Sequence, residues 1–248
     1  MTELSVALGL IAGVIAAHEL GFWLGSLRRS KDEPFDRQVA LVRTSTAALV
    51  AFLIAFAFSG AASRFIDRVD IIVKEANALG TAYLRADTIA EPYRGELKAS
   101  LKEYTTDRVT LLSREGRPQI EPLLTKVGGL HGRMWKSAIG ATQDNAPLMT
   151  VVLPPINEVI DLHSVHLAAA RRHLPIPIMT VLLATAAVGI GLMGFANGRL
   201  GRRFSVIDSI YGIVLAVALW ITIDLDYPGI GIIRVSNRSV MEALAAMN

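Results

Sequence analysis

The feature that most constrains this chain is a run of 20 uncharged residues between Arg43 and Arg64. At about 1.5 Å rise per residue, a helix of this length crosses a hydrocarbon core of about 30 Å. No proline follows the run, because residues 64–87 read RFIDRVDIIVKEANALGTAYLRAD, a segment of helix formers with charges at intervals. We therefore predict one continuous helix over residues 39–87, which leaves the membrane as an amphipathic rod.

Three further apolar runs are long enough to span a bilayer, at residues 4–27, 176–197 and 204–223. The first is followed by the basic run LRRSK and has no basic segment before it, so we interpret it as a retained anchor. The mean hydropathy is +0.44, although the middle of the chain is charged. We predict an all-α integral membrane protein with four transmembrane helices and a helical extramembrane insertion between the second and third.

The alternation of apolar and charged segments predicts four parts. Residues 1–63 contain transmembrane helices 1 and 2, and residues 64–173 form a helical extramembrane domain. Residues 174–226 contain transmembrane helices 3 and 4, and residues 227–248 form a C-terminal tail. Both termini are then expected on the same side of the membrane.

Prolines and glycines predict the helix boundaries of the middle segment. Pro92 suits the first turn of a helix, and Gly116 with Pro118 is expected to break the chain after that helix. We expect Gly128-Gly129 to interrupt the next helix and Pro154-Pro155 to kink or restart the one after it. No segment alternates as a strand does, so the middle is predicted to be all-α.

Composition argues against several classes of function. The net charge of +3 is spread along the chain, so no nucleic-acid partner is predicted. The absence of cysteine excludes disulfides and thiolate metal sites. The sequence has no phosphate-binding glycine loop outside its apolar runs, no G-x-S-x-G and no metalloprotease motif. We therefore predict that the protein is not an enzyme and has no cofactor.

One face of the second apolar run has a pattern typical of a pore lining. At helical spacing this face is polar at both ends and apolar in the middle, which would form a dewetting constriction. The alternative is that the face packs on a neighbouring helix. The pore-lining candidates are Ser45, Leu49, Phe52, Phe56, Ser59 and Ser63.

The motif EANALGTAYLRAD combines small residues with polar ones. Glu75 and Arg85 lie too far apart on one helix to pair, so each needs a partner on another element. Such groups form either a buried polar network that fixes helix register or an ion-selecting ring around an oligomer axis. The candidates are Glu75, Asn77, Thr81, Arg85, Asn157, Glu158 and Asp161.

Two further pairs of ionisable residues each allow two interpretations of their role. His18 and Glu19 lie within the first apolar run, where charge is costly, and either pair with Arg43 on the second run or serve a transport role. His163 and His166 have a spacing that can ligate a metal, but no pattern supplies a third ligand. Surface or interface histidines are therefore the favoured interpretation.

Four segments resemble the bestrophin-like domain family of bacterial membrane proteins. They are EANALGTAYLRAD at residues 75–87, IAFAFSGAASRF at 54–65, NEVIDLH at 157–163 and IRVS at 233–236. The family is distantly related to bestrophins, which are pentameric ion channels with four membrane spans per subunit. In these channels the second span lines a hydrophobic neck, and a large cytosolic helical region extends the conduit.

The resemblance implies a multi-pass protein of the plasma (inner) membrane that forms a homo-oligomer, a pentamer, and conducts inorganic ions. Seven Lys and Arg residues are counted on each side of the membrane. Because charges in long loops have less influence on orientation, the count favours an insertion outside the cell, whereas the resemblance implies a cytosolic one. The alternative function is a non-conducting scaffold or sensor that binds a partner through its extramembrane helices. A transporter is disfavoured, since no matched pair of interrupted spans is visible.

Overall fold

The computed structural model describes residues 3–28, 32–113, 120–203, 205–228 and 231–247, and every regular element in these ranges is helical. The α-helices are α1 Glu3–Ser26, α2 Glu33–Arg85, α3 Tyr93–Leu112, α4 Ile120–Thr142, α5 Ala146–Ala170, α6 Ile176–Leu200, α7 Val206–Asp226 and α8 Arg238–Ala245. Of these, α1, α2, α6 and α7 are long and apolar enough to cross a membrane. The all-α prediction is confirmed for the described residues.

Helix α2 is continuous over 53 residues, which confirms the predicted long helix. It begins earlier than residue 39 because Asp32 caps it: Asp32 Oδ1 accepts a 3.2 Å hydrogen bond from the backbone N–H of Phe35. Glu33 and Asp36 in the first turn add favourable interactions with the helix dipole. A short 3-10 turn, Ala86–Thr88, follows the helix.

The chain forms two compact units. The first unit comprises Met1–Phe65 and His173–Arg234, and the second unit comprises Ile66–Arg172 and Val235–Asn248. Each unit has its own apolar core.

In the first unit, α1 and α6 approach each other through glycines. A Cβ atom on Gly21 would lie 1.9 Å from the carbonyl oxygen of Gly191, and one on Gly194 would lie 2.0 Å from that of His18. Only glycine permits such backbone contact, which is a common way for transmembrane helices to pack. Helix α2 joins this unit through Val50 and other small or apolar side chains on one of its faces.

The second unit packs the C-terminal part of α2 against α3, α4, α5 and α8. Helix α4 is continuous, so the predicted interruption at Gly128-Gly129 is wrong. Both glycines are exposed, whereas Val127 and Leu130 beside them are fully buried. Burial of this apolar face outweighs the cost of about 1 kcal/mol per glycine. The predicted break at Gly116 and Pro118 and the predicted start of a span at residue 204 lie outside the described residues.

Helix α5 is continuous through Pro154 and Pro155, so it does not restart there. A proline at position 155 cannot donate to the carbonyl of Val151, four residues earlier. Nη1 of Arg85 donates a 2.8 Å hydrogen bond to this carbonyl instead. A side chain of α2 thereby replaces a missing backbone donor of α5.

Candidate functional site

The six pore-lining candidates share one side of α2, and all six side chains are exposed on this chain. The three large ones are the most informative: Leu49 is 50 %, Phe52 66 % and Phe56 59 % exposed. On the packed side of the same helix, Val50 and Ala57 are at most 1 % exposed. We call the exposed side, defined by Ser45, Leu49, Phe52, Phe56, Ser59 and Ser63, the neck face.

Glu75 is not an exposed ring residue, because it forms the centre of a buried ion pair in the second unit. Arg108 of α3 binds it through two hydrogen bonds, Nε to Oε1 at 2.5 Å and Nη2 to Oε2 at 2.7 Å. The hydroxyl of Tyr104 donates a third hydrogen bond to Oε1 at 2.8 Å. Burial by itself lowers the pKa of Arg108, but the hydrogen bonds and charge of Glu75 outweigh burial and raise it.

Three histidines from α4 and α5 surround this ion pair. The ring of His131 lies 5.3 Å from that of Tyr104 and 5.1 Å from that of His163, between centroids. Burial and the charge of Arg108 lower the pKa of His163 and that of His166 to about 4, and burial lowers the pKa of His131. All three rings are therefore neutral at pH 7. We call Glu75, Tyr104, Arg108, His131, His163 and His166 the buried polar cluster.

Of the two histidines predicted to lie at the surface or at an interface, His163 is buried among the helices of the second unit, and His166 is partly buried. His163 is only 6 % exposed. His131 Nε2, His163 Nδ1 and His166 Nδ1 are buried without a hydrogen-bond partner among the residues that the structure describes. Within the same residues no group of histidines and acids has the arrangement of a metal site.

The remaining polar candidates are exposed or partly exposed. Asn157 donates to Asp161 at 2.7 Å, and neither these two residues nor Glu158 is the partner of Glu75. The partner that Glu75 needs comes from α3 and not from these candidates, because Asn157, Glu158 and Asp161 are exposed on α5. Asn77 and Thr81 are exposed on α2.

Sequence reasoning missed Tyr104, Arg108 and His131. A signal was present, since Tyr104 and Arg108 are four residues apart on α3 and so point to the same side of a helix. Leu97 and Leu101 continue this side of the helix at the same spacing, and an arginine on an apolar helix side indicates a buried carboxylate partner.

The charged pair in the first apolar run has a different partner from the one predicted. Glu19 Oε2 accepts a 2.9 Å hydrogen bond from Arg203, so the pairing with Arg43 was wrong. The glycine contacts between α1 and α6 bring the turn after α6 beside Glu19. His18 lies 4.0 Å from Glu19, and its Nε2 is 3.3 Å from the amide nitrogen of Asn197.

The sequence model of one protein family, the bestrophin-like domain, matches residues 12–240 of this chain. The chain belongs to the bestrophin-like domain family. The match confirms the resemblance drawn from the four sequence segments, and it spans the neck face and the buried polar cluster. A comparison with curated proteins finds no match.

The fold of this bestrophin-like chain is similar to the crystal structure of a point mutant of a bacterial bestrophin homolog from Klebsiella pneumoniae. The TM-score is 0.67, and the alignment covers 96 % of this chain and 97 % of that chain. The sequences are 12 % identical, so the likeness concerns the fold. Together with the four apolar helices, family and fold identify a membrane protein.

Proposed function

We propose that this bestrophin-like protein is an ion channel formed by a homo-oligomer, a pentamer, in the plasma (inner) membrane. Residues 1–63 and 174–226 span the bilayer, residues 64–173 form an extramembrane helical domain, and residues 227–248 form the tail. Copies of α2 surround a common axis, and their neck faces line the passage for inorganic ions. Family membership and the bestrophin-type fold support the proposal.

The observation that carries the proposal is the neck face itself. Leu49, Phe52 and Phe56 are exposed. On the opposite side of α2, Val50 and Ala57 are buried, with at most 1 % exposure. Serines flank this apolar centre at both ends of the face. A ring of such faces gives a passage that is wettable at its ends and narrow and dewetting in the middle, one of the forms that channel gates take.

The buried polar cluster acts structurally in this proposal. Because Glu75 is neutralised by Arg108 and buried, it is not available to select ions. Among the predicted candidates on this part of α2, Asn77 and Thr81 are exposed, and in this proposal they take any ion-selecting role.

The test is the mass of the purified protein in mild detergent, followed by ion flux after reconstitution into liposomes. A pentamer that dissipates a salt gradient supports the proposal. Phe52→Ala with Phe56→Ala should then raise the flux, while Phe58→Ala, a matched change 42 % exposed on α2 but off the neck face, should leave it unchanged. A folded monomer or dimer without flux would favour the scaffold or sensor that binds a partner.

A further inference from the structure

A cavity of about 200 Å³ lies between α1 and α7 in the first unit, with α6 as its floor. Its side walls include Ile11, Ile15 and Ile213, which are 49 %, 53 % and 63 % exposed. Ile190 and Met193 of α6 form the floor. The cavity is therefore an apolar groove open toward the surroundings of the chain, and in a bilayer those surroundings are acyl chains.

The groove is elongated along the helices. Its lining on α7 extends from Asp208 to Ala216, which corresponds to about 12 Å at 1.5 Å rise per residue. A narrow apolar groove of this length fits a segment of hydrocarbon chain better than a compact solute. Close contact along such a chain gives many small dispersion gains.

One end of the groove carries two carboxylates, Glu19 and Asp208, beside His18. Asp208 Oδ2 accepts a 2.6 Å hydrogen bond from Asn197, and Glu19 lies at the same end. Across the described ranges no Lys or Arg forms an ion pair with Asp208. A carboxylate without a cationic partner at the mouth of an apolar groove favours a ligand that carries its own ammonium group.

A basic side chain, that of Arg203, lies beside this end. Arg203 binds Glu19 at 2.9 Å and keeps 68 % of its side chain exposed, and its neighbour Arg202 is also exposed. Exposed guanidinium groups are suited to bind phosphate through paired N–H donors. The groove thus presents an apolar channel, a carboxylate and an exposed arginine, Arg203, at one end.

We propose that this groove binds a phospholipid whose headgroup carries a primary amine, of the phosphatidylethanolamine type. One acyl chain occupies the cavity, the ammonium group donates to Asp208, and the phosphate lies against Arg203. A choline headgroup has the same charges but no N–H donors, and a glycerol headgroup has no cation. The inference concerns α1, α6 and α7 and does not depend on ion conduction by the neck face.

The test is native mass spectrometry of the whole protein in detergent with added ethanolamine, choline or glycerol phospholipids of identical acyl chains. The expected result is a preference of about tenfold for the ethanolamine lipid over the choline lipid, which Asp208→Asn removes. Ser209→Leu, which fills the groove from an exposed position, should reduce retention of all three lipids. Ala187→Leu, exposed on α6 outside the groove, should not.

Folding of each variant is checked by its melting temperature without lipid, and Asp208→Asn keeps the size of the side chain. Equal retention of the three lipids by the wild type and Asp208→Asn would overturn the proposal. It would also be overturned if no lipid were retained and Ser209→Leu altered the mass of the oligomer, because the occupant would then be a neighbouring copy of the chain.

Discussion

Arg108 and Glu75 form a two-hydrogen-bond ion pair in which neither side chain is more than 2 % exposed. The pair joins α2 to α3 inside the second unit, and Tyr104 completes the hydrogen bonding of the carboxylate. Such a pair is costly to break, because the remaining charge stays buried without compensation.

Arg108→Met should therefore lower the free energy of unfolding of the second unit by about 3–5 kcal/mol. The double change of Glu75→Leu and Arg108→Met should recover most of this loss, since it removes both charges. Hydrogen exchange of α2 and α3 measures the effect. Arg133→Met is the control, because Arg133 binds Glu103 on the surface and its loss should cost less than about 1 kcal/mol. Equal effects of Arg108→Met and Arg133→Met would contradict this account.

Arg85→Met should loosen α5 around its two prolines. The carbonyl of Val151 then loses the donor that replaces the absent N–H of Pro155, at a cost of about 1 kcal/mol in this partly exposed position. Faster hydrogen exchange confined to the N-terminal half of α5 is the expected result. Arg94→Met, which removes an exposed pair with Glu91, should leave α5 exchange unchanged.

Acid should destabilise the second unit through its histidines. The folded pKa of His163 and of His166 is about 4, below the ordinary value of 6.5, because of burial and the charge of Arg108. Between pH 4 and pH 6.5 the unfolded chain binds more protons than the folded chain. The contribution of the neutral histidines to the free energy of unfolding is therefore complete above pH 6.5 and declines as the pH falls toward 4. Glu75 faces the same rings and partly offsets the effect.

The measurement is the melting temperature between pH 4 and 7.5 for the wild type and for the double variant His163→Gln and His166→Gln. The variant should show a shallower decline in acid. A decline of unchanged steepness would assign the acid sensitivity to other groups.

Gly194→Ala should separate α1 from α6. The added Cβ would meet the carbonyl oxygen of His18 at 2.0 Å, so the helices must move apart at a cost of about 1–3 kcal/mol or more. The melting temperature in detergent reports the loss. Gly13→Ala provides the comparison, since a Cβ there meets nothing within 4 Å, and it should leave the melting temperature nearly unchanged.

The sequence predicts α2 well, because an uncharged run followed by helix formers leaves no place for the helix to end. It does not predict the partner of Glu75, because that choice depends on how α3 packs against α2 across 33 residues of chain. The predicted partner of Glu19 was wrong for a similar reason. Arg43 and Arg203 are both basic residues near one end of an apolar run, and the glycine contact between α1 and α6 selects Arg203. The glycine pairs Gly21/Gly25 and Gly194/Gly198, each four residues apart, carried that signal.

The central claim is that the neck face of α2 lines the ion passage. Because the chain has no cysteine, single cysteines can be introduced without background. Ser59 is on the neck face, and its neighbour Phe58 is exposed on another side of the same helix.

The decisive measurement is single-channel current in a planar bilayer before and after a charged methanethiosulfonate reagent is added to Ser59→Cys and Phe58→Cys. The account predicts that the reagent changes the unitary current of Ser59→Cys and leaves that of Phe58→Cys unaltered. Currents that persist unchanged in Ser59→Cys, or that change only in Phe58→Cys, would contradict it.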